Sequence, residues 1–241
     1  MTRKIKIVRT LLFKFKVTLA FYNYHFPRAY KFFSLYLKCM KHTHASIHDL
    51  LHLYTFVETI HRENIKGDIV ECGCWRGGSS AIMLKRAREL NMDCHIYIYD
   101  SFEGLPPARE VAIDGLKAQK AREKELAWLK ADYEDVVEIM EKLNIYDDRV
   151  HIVKGWFDQT TPHSPARQVA LLHSDGDLYE STRTVLESFY HKVNKGGFVV
   201  NNDYGEVWIG AKKAMDEFVA QHCPGTPIRL IAGGGAYLRK P

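Results

Sequence analysis

Three short apolar runs in this 241-residue chain each break into an acidic loop: GDIVECGCWRGGSS, IYIYDSFEGLP and LLHSDGDLYEST, the last followed by GGFVVNNDYG. A brief apolar run bounded by turn residues reads as a buried strand, and strand and helix patterns alternate from Asp68 onward. That alternation calls for an α/β chain with a doubly wound, mostly parallel sheet. In such a sheet the loops at the carboxyl ends of the strands share one crevice. At 46% hydrophobic content the chain can bury a full core, as one domain with an appendage.

The first loop leaves its strand as Glu71-Cys72-Gly73-Cys74-Trp75-Arg76-Gly77-Gly78-Ser79. Glycine suits backbone that turns tightly or approaches a ligand. The pattern is E-x-G-x-x-x-G-G and not the dinucleotide fingerprint, because Trp75 stands where the middle glycine belongs. A loop of this shape after a first strand holds the methionine end of S-adenosylmethionine (SAM) in methyltransferases; a ligand-free strand-to-helix turn is the alternative. A second strand, residues 94–99, ends in Asp100, 29 positions after Glu71, where an acid can accept the ribose hydroxyls of a nucleoside. Ser101 follows it into a loop stiffened by Pro106 and Pro107.

The third loop carries the chemistry. Strand four, residues 169–173, runs into Ser174-Asp175-Gly176-Asp177, and strand five, residues 197–200, ends in Asn201-Asn202-Asp203. Neighbouring parallel strands lie roughly 5 Å apart, so Asp175 can share a ligand with Asn202 and Asp203. Carboxylate and amide oxygens suit Mg²⁺, which keeps several waters. The alternative is that Asp175 and Asp177 cap the helix starting near Tyr179, with Asn202 and Asp203 in a turn.

Residues 67–78, 100–106, 155–157, 175–182 and 196–205 together resemble the macrocin O-methyltransferase family, which methylates sugar hydroxyls of macrolide and aminocoumarin antibiotics. The resemblance spans most of residues 46–240. It implies a Rossmann-like SAM-methyltransferase sheet of seven strands, the last antiparallel, which residues 228–231 and 236–238 would close as a hairpin. It implies that Glu71, Gly73, Gly77 and Ser79 line the methionine part of SAM, that Asp100, with Ser101 beside it, takes the ribose, and that Gly155 and Trp156 flank the adenine. It also implies that Asp175 is a metal ligand, with Asp175 or Asp177 as general base. Where the family has two adjacent aspartates, this chain has Asn202-Asp203. Catechol O-methyltransferases look similar there, with aspartates and one asparagine on the metal. An inactive SAM binder is the remaining alternative.

The reaction explains these residue types. The methyl of a sulfonium is already activated, so the oxygen nucleophile must be placed in line and close. A protonated sugar hydroxyl is a poor nucleophile; a carboxylate in hydrogen-bond reach addresses that barrier by about 10² to 10⁴-fold, and a metal polarises the hydroxyl. Asp175 can hold the metal while Asp177 takes the proton. The expected acceptor is a sugar-containing small molecule or glycan; a phenol is the enzymatic alternative. No tyrosine has a lysine four places on, which removes a short-chain dehydrogenase with a similar sheet.

Ten of the 34 Lys and Arg fall in residues 1–48, which hold no Asp or Glu; the other 24 face all 29 acids, a net −5. Residues 1–48 therefore form a basic, aromatic, helical arm and residues 49–241 the methyltransferase domain. The arm either meets an anionic membrane surface or packs as a helical pair on the domain or a second subunit. Charges at Lys14, Lys16, Arg28 and Lys31 interrupt any spanning or signal segment, so a cytoplasmic protein is expected, at most at the inner face of the membrane. A homo-oligomer is expected and nucleic acid is not, because the domain is acidic. His44, His48 and His52 recur every four residues, yet nothing nearby completes a zinc site. Five cysteines without metal-binding spacing read as free thiols. Residues 103–148 form a long excursion between strands two and three, either a lid or a plain crossover.

Overall fold

The structure, a computed structural model, describes residues 26–106, 113–115 and 129–241. The chain divides into two units, Met1–Lys38 and Cys39–Pro241. In the first, helix α1 (Phe26–Cys39) carries Phe32, Phe33 and Tyr36 on one side, with Tyr36 stacked on both phenylalanine rings at 6.2 and 6.3 Å. Residues 1–25 of the basic arm lie outside the described residues.

The second unit opens with α2 (Ile47–Arg62), then alternates β1 (Asp68–Cys72), α3 (Gly78–Glu89), β2 (Ile96–Asp100), α4 (Tyr133–Lys142), β3 (Val150–Lys154), α5 (Phe157–Thr160), β4 (Val169–Ser174), α6 (Tyr179–Phe189), β5 (Val193–Asn201), α7 (Ile209–His222), β6 (Arg229–Leu230) and β7 (Ala236–Arg239). The strands form one seven-stranded sheet in the order β3-β2-β1-β4-β5-β7-β6. β1 to β5 are parallel; β7 runs antiparallel to both β5 and β6. The doubly wound sheet read from the sequence, including its closing hairpin, is therefore present.

Alternation along the strands decides which layer each residue meets. Val70, Cys72, Tyr99, Leu172 and Val199 turn one way, into a core with Val185, Leu186 and Phe189 of α6 and Met215, Phe218 and Val219 of α7. Each fully buried side chain of this size contributes about 1.5–3 kcal/mol. Phe198 turns the other way and stacks on Phe56 of α2 at 4.3 Å. On that layer α2 and α3 are joined by the buried pair Glu58–Arg86, Oε1 to Nη2 2.7 Å.

The sheet brings all the acidic loops to its carboxyl edge. Backbone hydrogen bonds stitch them together: Gly73 N–H to Tyr99 O, Asp175 N–H to Cys72 O, Asn202 N–H to Ser174 O, and Gly155 N–H to Asp100 O, all 2.8–2.9 Å. Of the excursion read across residues 103–148, the described part contains α4, while residues 107–112 and 116–128 lie outside the described residues.

Candidate active site

The stitched loops surround a cavity of about 640 Å³. Gly73 and Ser79 line it from the first loop, Asp100 and Ser101 from the second, and Gly155 and Trp156 from the loop after β3. Asp175, Asp177, Asn202 and Asp203 line it from the ends of β4 and β5.

Gly73 is where the first and third loops touch. Its φ is 89°, in the left-handed region, and a Cβ there would strike the backbone carbonyl of Asp175. Gly77, at φ 78°, is the N-cap of α3 and lies beside Val136, so it shapes the entry to the helix without lining the cavity.

Glu71 also stays out of the cavity. It is fully buried beneath the loops, with Oε1 2.7 Å from His173 Nδ1 and Oε2 accepting from the Ser80 hydroxyl. Both of its oxygens are thus engaged with the protein.

Asp100 clamps the two loops around it. Its Oδ2 accepts the N–H groups of Cys74 and Trp75 at 2.8 and 3.0 Å, and its Oδ1 that of Phe102 at 2.8 Å. Burial raises its pKa, and these three N–H donors work against that rise. Carboxylate oxygens carry about four acceptor sites, so room is left for a ligand hydroxyl.

Asp175, Asp177 and Asp203 form a crowded acidic group. Burial pushes Asp175 well up, reinforced by the charges of Asp203, Asp177, Glu71 and Asp49. Burial, then Asp203 and Asp100, does the same to Asp177. Asp203 is pushed up to about 6 by burial, restrained by the Asp177 N–H at 2.8 Å, His173 and Asp175. Asp177 is held at φ 60°, an unusual backbone for a residue with a side chain. Carboxylates gathered this closely, Asp203 buried and Asp175 and Asp177 half-buried at the cavity wall, call for a cation or protons.

Several contributors escaped sequence reading. Thr43, His44 and Ala45, from the segment ahead of α2, line the cavity, with the His44 ring 3.8 Å from that of Trp75. Gly78 N–H donates to His42 O at 2.8 Å, fastening this segment to the first turn of α3. α2 starts at Ile47, so His44 is not on the helix that carries His48 and His52, and the four-residue repeat of histidines is not one helical stripe. Phe157, at the start of α5, and Trp208, just ahead of α7, add aromatic walls; their aromatic type was the only signal available.

The sequence profile of the macrocin O-methyltransferase family matches residues 39–240. The chain belongs to that family. It is 34% identical over 202 residues to 8-demethyl-8-(2,3-dimethoxy-alpha-L-rhamnosyl)-tetracenomycin-C 4'-O-methyltransferase of Streptomyces olivaceus, covering 82% of this chain and 75% of the relative. It is 33% identical over 203 residues to demethyldecarbamoylnovobiocin O-methyltransferase of Streptomyces niveus, covering 83% and 76%. Among solved structures, the O-methyltransferase NovP superposes with a TM-score of 0.75 at 32% identity, over 83% of this chain and 82% of that one. The fold and chemistry of the macrocin family thus apply: this is an O-methyltransferase, and its family implies SAM as methyl donor.

Among the described residues, no helix is long and apolar enough to cross a membrane.

Proposed function

We propose that this enzyme transfers the methyl group of SAM to a hydroxyl of a sugar borne by a small molecule or glycan, with Mg²⁺ assisting. The observation that carries this reading is the meeting of the glycine loop and Asp100 with Asp175, Asp177, Asn202 and Asp203 on one cavity of about 640 Å³. The relatives in the two Streptomyces species, named for a rhamnosyl tetracenomycin and a novobiocin precursor, support the sugar.

Among the described residues no three His, Cys, Asp or Glu side chains form a ready-made metal cage. The donor set nevertheless fits Mg²⁺. Asp175 and Asp203 are two carboxylates forced together, and Asn202 Oδ1 is buried with no hydrogen-bond partner. Two carboxylates and an amide oxygen, completed by water and substrate, are the hard oxygen ligands this ion takes. When bound, SAM supplies the electrophilic methyl and Mg²⁺ polarises the acceptor hydroxyl.

The chain's own residues do the rest. Gly73 and Ser79 face the methionine end of SAM, Asp100 and Ser101 its ribose, and Gly155 and Trp156 its adenine. Asp177, its affinity for protons raised by burial, is the base that accepts the hydroxyl proton. Aromatic walls at Trp75, Phe157 and Trp208 exclude water from the reacting centre and offer flat faces to a sugar ring. The cytoplasm suits the buried thiols of Cys72, Cys74, Cys94 and Cys223. A homo-oligomer, and an anionic membrane surface met by residues 1–48, belong to the same reading; light scattering and vesicle sedimentation test them.

The deciding experiment is calorimetric titration of SAM with and without Mg²⁺, followed by a methyl-transfer screen over sugar-bearing and phenolic acceptors. Metal-dependent turnover on a sugar hydroxyl is expected. Turnover confined to phenols replaces the sugar, and SAM binding with no turnover on any acceptor makes the chain a SAM binder, the role that Asn202 in place of an acid would favour.

A further inference from the structure

Asp49, in the first turn of α2, lies on the layer that faces Glu71 and His173, and sequence reading gave it no part in the site. Its side chain is 3% exposed. Helix capping explains half of it: Asp49 N–H donates to Ser46 Oγ at 3.2 Å, and the Ser46 hydroxyl donates to Asp49 Oδ2 at 2.5 Å. The other oxygen, Oδ1, is buried without a hydrogen-bond partner. An unmatched buried carboxylate oxygen is costly, and helix-capping geometry does not require one.

Its neighbours indicate what is missing. Gly235, in the turn between β6 and β7, serves as a ruler: a Cβ built on it stands 2.9 Å from Asp49 Oδ1 and 3.5 Å from the Cα of Asn202. Asp49 is close enough that its charge is felt at both Asp175 and Asp203. Asn202 Oδ1, Ser174 Oγ and His173 Nε2 are likewise buried without hydrogen-bond partners. Two of these atoms, Asp49 Oδ1 and Asn202 Oδ1, are acceptors, which cannot satisfy one another. What relieves them is a group presenting donors and positive charge together, and a cation that keeps part of its water shell is such a group.

We infer that Asp49 is a positioning residue for the divalent cation, its free Oδ1 accepting hydrogen bonds from cation-bound water while Asp175, Asn202 and Asp203 supply the direct ligands. This rests on the Mg²⁺ reading given under Proposed function. Outer carboxylates of this kind typically change metal affinity by about 10–100-fold. The arrangement also gives the glycines at 233 and 235 a purpose, since side chains at either would press on the Asp49 carboxylate.

Mn²⁺ is the probe, its free concentration read by electron paramagnetic resonance in the full-length protein. Asp49→Asn keeps the shape and the Ser46 contact but removes the charge; Ser46→Ala removes the cap alone; Asp175→Asn takes the charge from a direct ligand. The expected result is a Kd for Mn²⁺ raised at least about tenfold in Asp49→Asn, unchanged in Ser46→Ala and lost in Asp175→Asn. S-adenosylhomocysteine binding and melting temperature, measured alongside, separate this from unfolding. Should Asp49→Asn bind Mn²⁺ like wild type while Asp175→Asn does not, Asp49 is only a capping residue and the inference is overturned with the metal reading intact. Should wild type take up no Mn²⁺, the metal reading falls and takes this inference with it.

Discussion

His173 Nδ1 lies 2.7 Å from Glu71 Oε1, and neither side chain reaches solvent. The two residues sit opposite each other on the adjacent strands β4 and β1, so their contact is fixed by sheet register. With the Ser80 hydroxyl on the second oxygen of Glu71, a polar chain runs through the layer beneath the cavity.

Glu71→Ala should therefore act on stability before it acts on catalysis. It strands the His173 ring and the Ser80 hydroxyl in a dry interior, and leaving a buried polar group without its partner costs about 1–3 kcal/mol. Urea unfolding measures it. A loss below about 1 kcal/mol would mean that water enters to replace the carboxylate.

Asp100→Ala removes the acceptor of three backbone N–H groups, two of them in the cofactor loop. Charge-assisted bonds of this sort contribute about twice as much as neutral ones. The Kd for S-adenosylhomocysteine is expected to rise at least about thirtyfold, roughly 2 kcal/mol. Asp100→Asn, which keeps one acceptor oxygen, should lose less; equal losses in calorimetry would argue that the charge itself is what matters.

Gly73→Ala and Gly225→Ala form a matched pair. Both glycines are left-handed, at φ 89° and 83°, but nothing lies within 4 Å of a Cβ at Gly225, whereas at Gly73 it strikes Asp175. Gly225→Ala should cost about 1 kcal/mol of backbone strain. Gly73→Ala should cost about 2 kcal/mol more, lowering the melting temperature by several degrees, and should weaken cofactor binding as well. Similar melting temperatures for the two variants would contradict the close approach of the two loops.

One contribution to the pH dependence of stability lies away from the cavity, at Asp147. Asp147 is partly desolvated, which alone would raise its pKa, but hydrogen bonds from Arg149 (Nη2 to Oδ2, 2.6 Å) and Arg88 (Nη2 to Oδ1, 3.1 Å) override this and hold it at about 2. A depressed carboxyl stabilises the fold above its unfolded value, near 3.8, and that contribution is lost as pH falls toward 2. The shift corresponds to about 2 kcal/mol, discounted to about 1 kcal/mol because the side chain is a third exposed. Asp147→Asn should thus be less stable than wild type at pH 6, with the gap closing between pH 4 and 2. A gap that does not narrow in acid would assign the effect to packing.

The sequence by itself determined the sheet and its chemistry. The apolar runs before Glu71, Asp100, Asp175 and Asn202 have the length and bounding turns of buried parallel strands, and parallel strands necessarily bring their carboxyl ends to one edge. That is why Gly73, Asp100, Asp175 and Asp203 could be assigned to one crevice from local patterns alone. Tertiary structure decided what depends on side-chain direction and on contacts between distant segments. Period-two alternation turned Glu71 away from the cavity and onto His173, a pairing across 102 positions that no local pattern encodes. Likewise the segment carrying His44 is held at the cavity by the hydrogen bond from Gly78 N–H to His42 O, and the hairpin at Gly233 and Gly235 packs against Asp49 and brings it towards Asn202, contacts between distant segments that no local pattern encodes. Strand identity is a property of neighbouring residues; the partners of a buried polar atom are a property of the whole packed chain.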